Sequence, residues 1–258
     1  MNEVRILMLE GINNFRDYGD YPVTTGGRVK RGVLWRSGQH VGASDTDLAQ
    51  IAPLGIATVI DLRGDEERTL NPCRRPEGFA AEVLLCEGEN VALASHFDAA
   101  AGVMDEAGAR AAMCRLYAQM PYRPNLIGVL RRYFAALGTR EGGSLIHCFA
   151  GKDRTGFSVA LTHHLLGVHP DDAMEDYLLT NAAILGRHFP GNPGHDKDKY
   201  AALSEAAGKA LGGVSPEYLD AAFAAMRDSH GSVDGYLEAV LGVDEGLRDK
   251  IRTRLTAT

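Results

Sequence analysis

Ten consecutive residues concentrate the chemistry of this chain: His147-Cys148-Phe149-Ala150-Gly151-Lys152-Asp153-Arg154-Thr155-Gly156. A cysteine ends the apolar run Ser144-Leu145-Ile146. An arginine follows six residues later, with a helical pattern directly behind it. A short loop between a buried strand and a helix can turn successive backbone N–H groups into one concavity, a nest for an anion. The helix N-terminus adds partial positive charge. Gly151 permits a backbone conformation that residues carrying a Cβ avoid. Arg154 offers a planar fork that matches two oxygens of a phosphate, and Lys152 adds a second cation. The same field favours the thiolate of Cys148, the form that acts as a nucleophile. A phosphate seated against Phe149, Ala150, Gly151, Lys152 and Arg154 would place its phosphorus in line with that sulfur.

Other reactive residues read differently. Asp61 and Arg63 end a second buried run, where the sites of α/β proteins often sit; an ion pair that fixes the loop is the competing reading. Asn14, Arg16 and Asp17 are expected to support the phosphate loop. Cys86 lies in an apolar strand pattern and reads as core. Cys73, in Asn71-Pro72-Cys73-Arg74-Arg75-Pro76, reads as a free, exposed thiol. Either is open as a disulfide partner of Cys148. His163 and His164 are adjacent on a helix and do not share a face, which argues against a metal. His188, His195, Asp196 and Asp198 fall in one polar loop and read as solvated. No metal and no cofactor is expected.

These residues need elements to position them. Ser44 with Asp47 three residues on is a capping box, Leu48, Ile51 and Leu54 keep helical spacing, and Gly55 stops that helix. Gly32–Arg36, Ile56–Arg63, Glu82–Cys86 and Ser144–Cys148 read as strands, the second nearly continuous in apolar, β-branched residues. Helical patterns separate them, notably Asn125–Leu137. That alternation implies an α/β fold with a mostly parallel central sheet flanked by helices. From Thr155 onward the chain reads as helical: Thr155–Leu166, starts at Pro170 and Ser215, then Ser232–Leu241 and Asp244–Leu255. Residues 97–113, rich in Ala and Gly, match no element clearly.

The 258 residues suit one domain, 1–258, with a core at about 11–185 and a helical part at about 186–258, of which 186–214 is a candidate lid. With 27 Lys+Arg against 34 Asp+Glu, the net charge of −7 argues against a general nucleic-acid binder. It also favours soluble phosphopeptides or small phosphoesters over anionic lipid surfaces. No run approaches the roughly 20 apolar residues of a membrane helix. The apolar run Ile6–Leu9 is too short for a signal-peptide core, so a cytoplasmic protein with reduced thiols is expected. Secretion by another route stays open.

The ten-residue string resembles the HCxxGxxR[ST]G signature of cysteine-dependent protein tyrosine phosphatases. Its Lys-Asp-Arg version is similar to the bacterial tyrosine/serine phosphatases. Asn14-Phe15-Arg16-Asp17, Gly32–Ser37, Leu54–Ile56, Val59–Arg63 and Tyr177–Asn181 resemble further landmarks of that family, over roughly residues 11–185. One position departs: Asp20 stands where the family carries a second glycine. The resemblance implies that Cys148 forms a phosphocysteine, Arg154 binds phosphate and stabilises the transition state, and Asp153 serves as acid and then base. Asp105 and Glu106, upstream, are the alternative acids. Thr155 would donate to the departing sulfur, and His147 would order the loop. The implied activity is metal-independent phosphomonoester hydrolysis, first of phosphotyrosine, with dual specificity. Phosphoinositides, whose charged headgroups Lys152 would suit, are an alternative substrate. A phosphate-binding module without turnover is a second alternative. A sulfur- or arsenate-handling enzyme is a third, disfavoured because such enzymes do not need the Gly151–Gly156 continuation.

Overall fold

Alternating apolar runs set the architecture, seen in a computed structural model that describes residues 5–88, 105–184 and 203–257. The strands are β1 (Arg16–Asp17), β2 (Arg28–Val29), β3 (Leu34–Ser37), β4 (Ile56–Asp61), β5 (Glu82–Leu85), β6 (Gly143–His147) and β7 (Thr256–Ala257). The main sheet runs β1-β3-β6-β4-β5. Its four inner and right-hand neighbours β3, β6, β4 and β5 are parallel, and β1 is antiparallel to β3. β2 and β7 form a separate two-stranded ribbon.

β6 is buried along its whole length and lies between β3 and β4. Its residues alternate between two apolar layers, as a period of two requires. Leu145, with Val59 and Trp35, packs against Leu9, Ile12, Phe15, Leu48 and Ile51. Ile146 and Cys148 face the larger, helical layer with Ile60, Leu62, Met113, Tyr117, Leu130 and Phe157.

The helices are α1 (Asp45–Ile51), α2 (Asp65–Leu70), α3 (Glu106–Gln119), α4 (Pro124–Thr139), α5 (Asp153–Leu166), α6 (Pro170–Ile184), α7 (Glu205–Gly212), α8 (Pro216–His230), α9 (Val233–Ala239) and α10 (Glu245–Leu255). None of them is long and apolar enough to cross a membrane. Most match the sequence patterns to within two residues. One difference matters: α5 begins at Asp153, not Thr155, so Asp153 and Arg154 belong to its first turn. The unassigned 97–113 stretch runs into α3, whose N-cap is Asp105. Of the candidate lid, residues 186–202 lie outside the described residues, and α7 occupies 205–212. The histidine and aspartate loop at 188–198 also lies outside them.

Asp20, the departure from the family pattern, has φ of 57°. That left-handed conformation explains a glycine there, and Asp tolerates it better than most residues. Its carboxylate pairs with Arg28 at 2.8 Å, which anchors the turn.

The capping box forms as expected: Ser44 accepts from the Asp47 N–H at 3.1 Å, and Asp47 accepts from the Ser44 N–H at 3.1 Å. Asp47 also accepts from the N–H groups of Glu10 and Gly11, at 2.7 and 2.8 Å. It therefore pins the N-terminal segment as well as α1. In urea unfolding, Ser44→Ala is expected to cost about 1 kcal/mol, a lost cap. Asp47→Ala is expected to cost two to three times as much, because it removes the acceptor of three backbone N–H groups, those of Ser44, Glu10 and Gly11. Equal losses would contradict this.

Candidate active site

The turn after β6 is held from behind. The Phe149 carbonyl accepts from the Gln39 N–H at 2.9 Å. The Gly151 carbonyl accepts from Asn14 Nδ2 at 2.6 Å and from Arg36 Nη2 at 3.0 Å. In a trans peptide the N–H points opposite to the C=O, and the described chain has no cis bond. The N–H groups of Ala150 and Lys152 therefore point away from this backing, to the concave side. Gly151 has φ of +67°, and a Cβ there would lie 2.4 Å from the Ser37 carbonyl group. Only glycine fits both the conformation and the approach.

The backing is itself a charge cluster. Arg16 Nε meets Asp176 Oδ1 at 3.0 Å, and Arg36 Nη1 meets Oδ2 at 2.7 Å, all fully buried. Arg16 also donates to Asn14 Oδ1. Burial opposes the charge of Asp176, but Arg16 and Arg36 outweigh it and hold the carboxyl well below its ordinary range. Burial and Arg36 lower Arg16 to about 10. Sequence reasoning anticipated Asn14, Arg16 and Asp17 as loop supports; Asn14 and Arg16 stand behind the loop, whereas the Asp17 carboxylate accepts from the Gly19 and Gly32 N–H groups and fixes the turn before β3. It missed Arg36 and Asp176. Arg36 carried a signal as a charged residue at the end of the apolar run Val33-Leu34-Trp35, whereas Asp176 follows Glu175 in an acidic stretch and carried none.

Arg154 is set in the opposite wall. Its Nη1 donates to the Leu62 carbonyl at 3.0 Å and to Glu67 Oε2 at 2.6 Å, and its Nη2 donates to Glu67 Oε1 at 2.8 Å. Of the five N–H groups of a guanidinium, these bonds leave Nε–H and the second Nη2–H, side by side on one edge. That edge is the fork that fits two phosphate oxygens. Burial disfavours ionised Glu67, but Arg154 prevails and holds its carboxyl below the ordinary value. Glu67 also accepts from the Gly64 N–H at 2.9 Å at the start of α2. The sequence reading did not single out Glu67.

Cys148 is buried at the loop's start. Asp153 Oδ1 accepts from the Tyr117 hydroxyl at 2.8 Å, and Tyr117 in turn accepts from the Tyr177 hydroxyl at 2.8 Å. The Thr155 hydroxyl is buried and has no hydrogen-bond partner. Phe149 and Ala150 are half-buried at the rim. Lys152 departs from its expected role. Its Nζ donates to the Leu211 carbonyl of α7 at 2.5 Å and lies 3.7 Å from Asp153 Oδ2. Burial lowers its pKa against the pull of Asp153 and Cys148. Its backbone N–H stays with the cradle while its ammonium serves α7. The alternative acids have local partners: Asp105 caps α3 by accepting from Gly108, and Glu106 pairs with Arg110.

Asp61 and Arg63 form a buried two-pronged pair, at 3.0 and 2.8 Å. Arg63 also donates to Gln39 Oε1, the Asn71 carbonyl and Cys73 Sγ. The pair thus ties the strand end to the loop that backs Phe149. Cys73 is half-buried, not exposed, and also accepts from the His40 N–H at 3.3 Å. Asp61, Cys73 and His147 bring ligand atoms within 4.8 Å of one another, but the Arg63 guanidinium already bonds to the first two. His163 Nε2 meets the Tyr18 carbonyl at 2.8 Å and His164 meets Asp234 at 3.2 Å, so the two diverge. Cys86 is in the core. It flanks Leu62 on the side opposite Cys148, by the bonds from Cys86 N to Asp61 O and from Leu62 N to His147 O. Two strand spacings separate the cysteines by about 10 Å, beyond disulfide reach.

His147 is fully buried, 3.8 Å from Asp61 Oδ2, with its ring 5.5 Å from that of His40. Burial lowers its pKa to about 4 and lowers those of His40 and His163 as well. Below the ordinary value of 6.5 the unfolded chain binds protons that these neutral rings refuse. Stability is therefore expected to fall with pH from about 6.5 toward 4, by up to about 1.4 kcal/mol per unit for each ring. Asp61, held low by His147 and Arg63 against its burial, and Asp176, held low by Arg16 and Arg36, keep their charge through that window. Urea midpoints measured from pH 7 to 4.5 check this, and His163→Gln should flatten the curve. A pH-independent midpoint would contradict it.

A family model described as the tyrosine phosphatase family matches residues 7–257. A Cupriavidus necator protein bearing a tyrosine-protein phosphatase name is 34% identical over 259 residues, covering 92% of this chain and 85% of its own. The triple specificity protein phosphatase PtpB of Mycobacterium tuberculosis is 29% identical, covering 95% of this chain and 96% of its own. A tyrosine-protein phosphatase of Nostoc commune is 28% identical, covering 82% and 70%. The crystal structure of P. aeruginosa TpbA aligns with a TM-score of 0.32 at 22% identity, covering 70% of this chain and 86% of that one. With the family model spanning nearly its whole length, the chain belongs to the tyrosine phosphatase family.

Proposed function

We propose that this protein tyrosine phosphatase works through a phosphocysteine on Cys148, with phosphotyrosine as its first substrate and phosphoserine and phosphothreonine as further ones. The observation that carries the reading is the Arg154 guanidinium. Glu67 and Leu62 occupy three of its hydrogens and leave one two-pronged edge for phosphate.

The steps follow from the residues. The Cys148 sulfur is the nucleophile and reacts as its thiolate. Phosphate binds to the loop N–H groups and the free Arg154 edge. The thiolate attacks phosphorus, the bond to the ester oxygen breaks, and Asp153 gives that oxygen its proton. Arg154 and the loop N–H groups stabilise the charge on the equatorial oxygens. Water then attacks the phosphocysteine, Asp153 takes its proton, and the sulfur departs as thiolate with inorganic phosphate as product. The buried, unpartnered hydroxyl of Thr155 is suited to donate to that sulfur. His147 and the Asp61–Arg63 pair support the loop without touching substrate.

Two observations favour phosphopeptides over phosphoinositides. The ammonium of Lys152, the charge that suited an inositol headgroup, is bonded to the Leu211 carbonyl. The net charge of −7 provides no general attraction to anionic membranes. The name of the mycobacterial relative supports a specificity broader than phosphotyrosine.

With EDTA present, the purified protein is expected to hydrolyse para-nitrophenyl phosphate, and Cys148→Ser to abolish turnover. Arg154→Ala should lower kcat/KM on the order of 10²–10³-fold, the loss of a transition-state oxyanion donor. Activity surviving in Cys148→Ser would remove the mechanism. Wild-type protein that binds phosphate without turnover would leave a binding module. A panel of phosphotyrosine peptides, phosphoserine and phosphothreonine peptides and phosphoinositide vesicles should rank in that order; a preference for the vesicles would overturn the substrate assignment.

A further inference from the structure

Asp153 does not stand alone in the first turn of α5. A chain of two phenols reaches it from two other helices. Tyr177 on α6 donates to the Tyr117 hydroxyl at 2.8 Å, and Tyr117 on α3 donates to Asp153 Oδ1 at 2.8 Å. Each hydroxyl has one hydrogen, so the chain has a direction: it ends on the carboxylate. Both tyrosines are buried, and their rings meet edge to face at 6.3 Å.

We propose that Tyr117, polarised by Tyr177, is the positioning residue that fixes the carboxyl of Asp153 and sets the upper pH limit of the phosphatase. The inference rests on Asp153 being the acid of the proposed reaction. Burial, then the Asp153 charge, pushes the Tyr117 phenol well above its ordinary value. It therefore remains a proton-bearing donor across the working range.

The other groups around Asp153 fix the sign. Lys152 lies 3.7 Å from Oδ2 and is tied to α7 through the Leu211 carbonyl. Tyr218 of α8 packs its ring 5.8 Å from that of Tyr117 and sends its own hydroxyl to the Ala210 carbonyl at 3.0 Å. Arg154, the next residue, is paired with Glu67. Cys148 acts on Lys152 from the loop. All of these remain when the Tyr117 hydroxyl is removed. A donor to a carboxylate favours its ionised form. Without it, the acid keeps its proton to higher pH. Tyr177 acts only through Tyr117, by strengthening that O–H as a donor.

The test is the pH dependence of kcat/KM on a phosphotyrosine peptide, whose leaving oxygen requires the proton. Wild type is expected to lose activity on the alkaline side, and Asp153→Asn to lose that descending limb. Tyr117→Phe should move the limb up by about one pH unit and lower the plateau. Tyr177→Phe should move it in the same direction by less, and the double variant should match Tyr117→Phe alone. A role in packing only would lower the plateau and leave the limb in place. An unmoved limb in Tyr117→Phe, with the limb absent from Asp153→Asn, overturns the inference while the assignment of Asp153 stands. If Asp153→Asn keeps the limb, the acid lies elsewhere and the inference falls with that reading. If Tyr117→Phe does not fold, Tyr177→Phe decides, and an unmoved limb there overturns the inference.

Discussion

The Gly151 carbonyl, drawn backward by Asn14 and Arg36, is the contact on which the site depends. It turns the loop's N–H groups to the concave side, and it requires residues brought from three distant parts of the chain. Arg36 is held by Asp176, 140 residues away, which also binds Arg16. Two guanidinium groups against one carboxylate leave a buried positive charge behind the loop. Such a cluster is costly to desolvate, and removing one member would leave its partners uncompensated. Its value lies in a rigid cradle and a local positive field inside a protein whose overall charge is −7.

The same logic repeats at each functional side chain. Glu67 holds one edge of the Arg154 guanidinium and fixes its orientation. Tyr117 holds one oxygen of Asp153, and Lys152 stands near the other. Arg63 and Asp61 tie the end of β4 to Gln39, whose N–H holds the Phe149 carbonyl. In every case a partner from another element fixes the group before substrate arrives, so little reorganisation is needed during reaction. Lys152 shows the converse: its ammonium is tied to α7 and serves the fold.

Much of this was legible in the amino-acid order. The run from His147 to Gly156 located the cradle because glycine, arginine and a helix start must fall at close spacing to build it. The four parallel strands β3 to β6 were legible from their apolar runs, and α1 from its capping box; the two-residue strands β1, β2 and β7 are too short to leave such a pattern. What was not legible depends on contacts across the fold. Glu67 and Tyr117 lie 87 and 36 residues from their partners, and nothing in their local sequence distinguishes them from an exposed acid or a core aromatic. Cys73 was misread as exposed because a Pro/Arg-rich segment normally is; Arg63 and His40 draw it inward. The start of α5 was placed two residues late because Asp153 and Arg154 look like loop chemistry, and they are also good first-turn residues.

The central claim is that Cys148 carries the phosphoryl group between two half-reactions. Para-nitrophenolate leaves without help from an acid, whereas release of the phosphocysteine needs Asp153 as base. Rapid-quench kinetics of Asp153→Asn with para-nitrophenyl phosphate, followed by peptide mapping, therefore isolates the intermediate. A burst of one nitrophenolate per enzyme, with phosphate covalently attached to Cys148, is the predicted result. Steady turnover without a burst and without an adduct on Cys148 would contradict it.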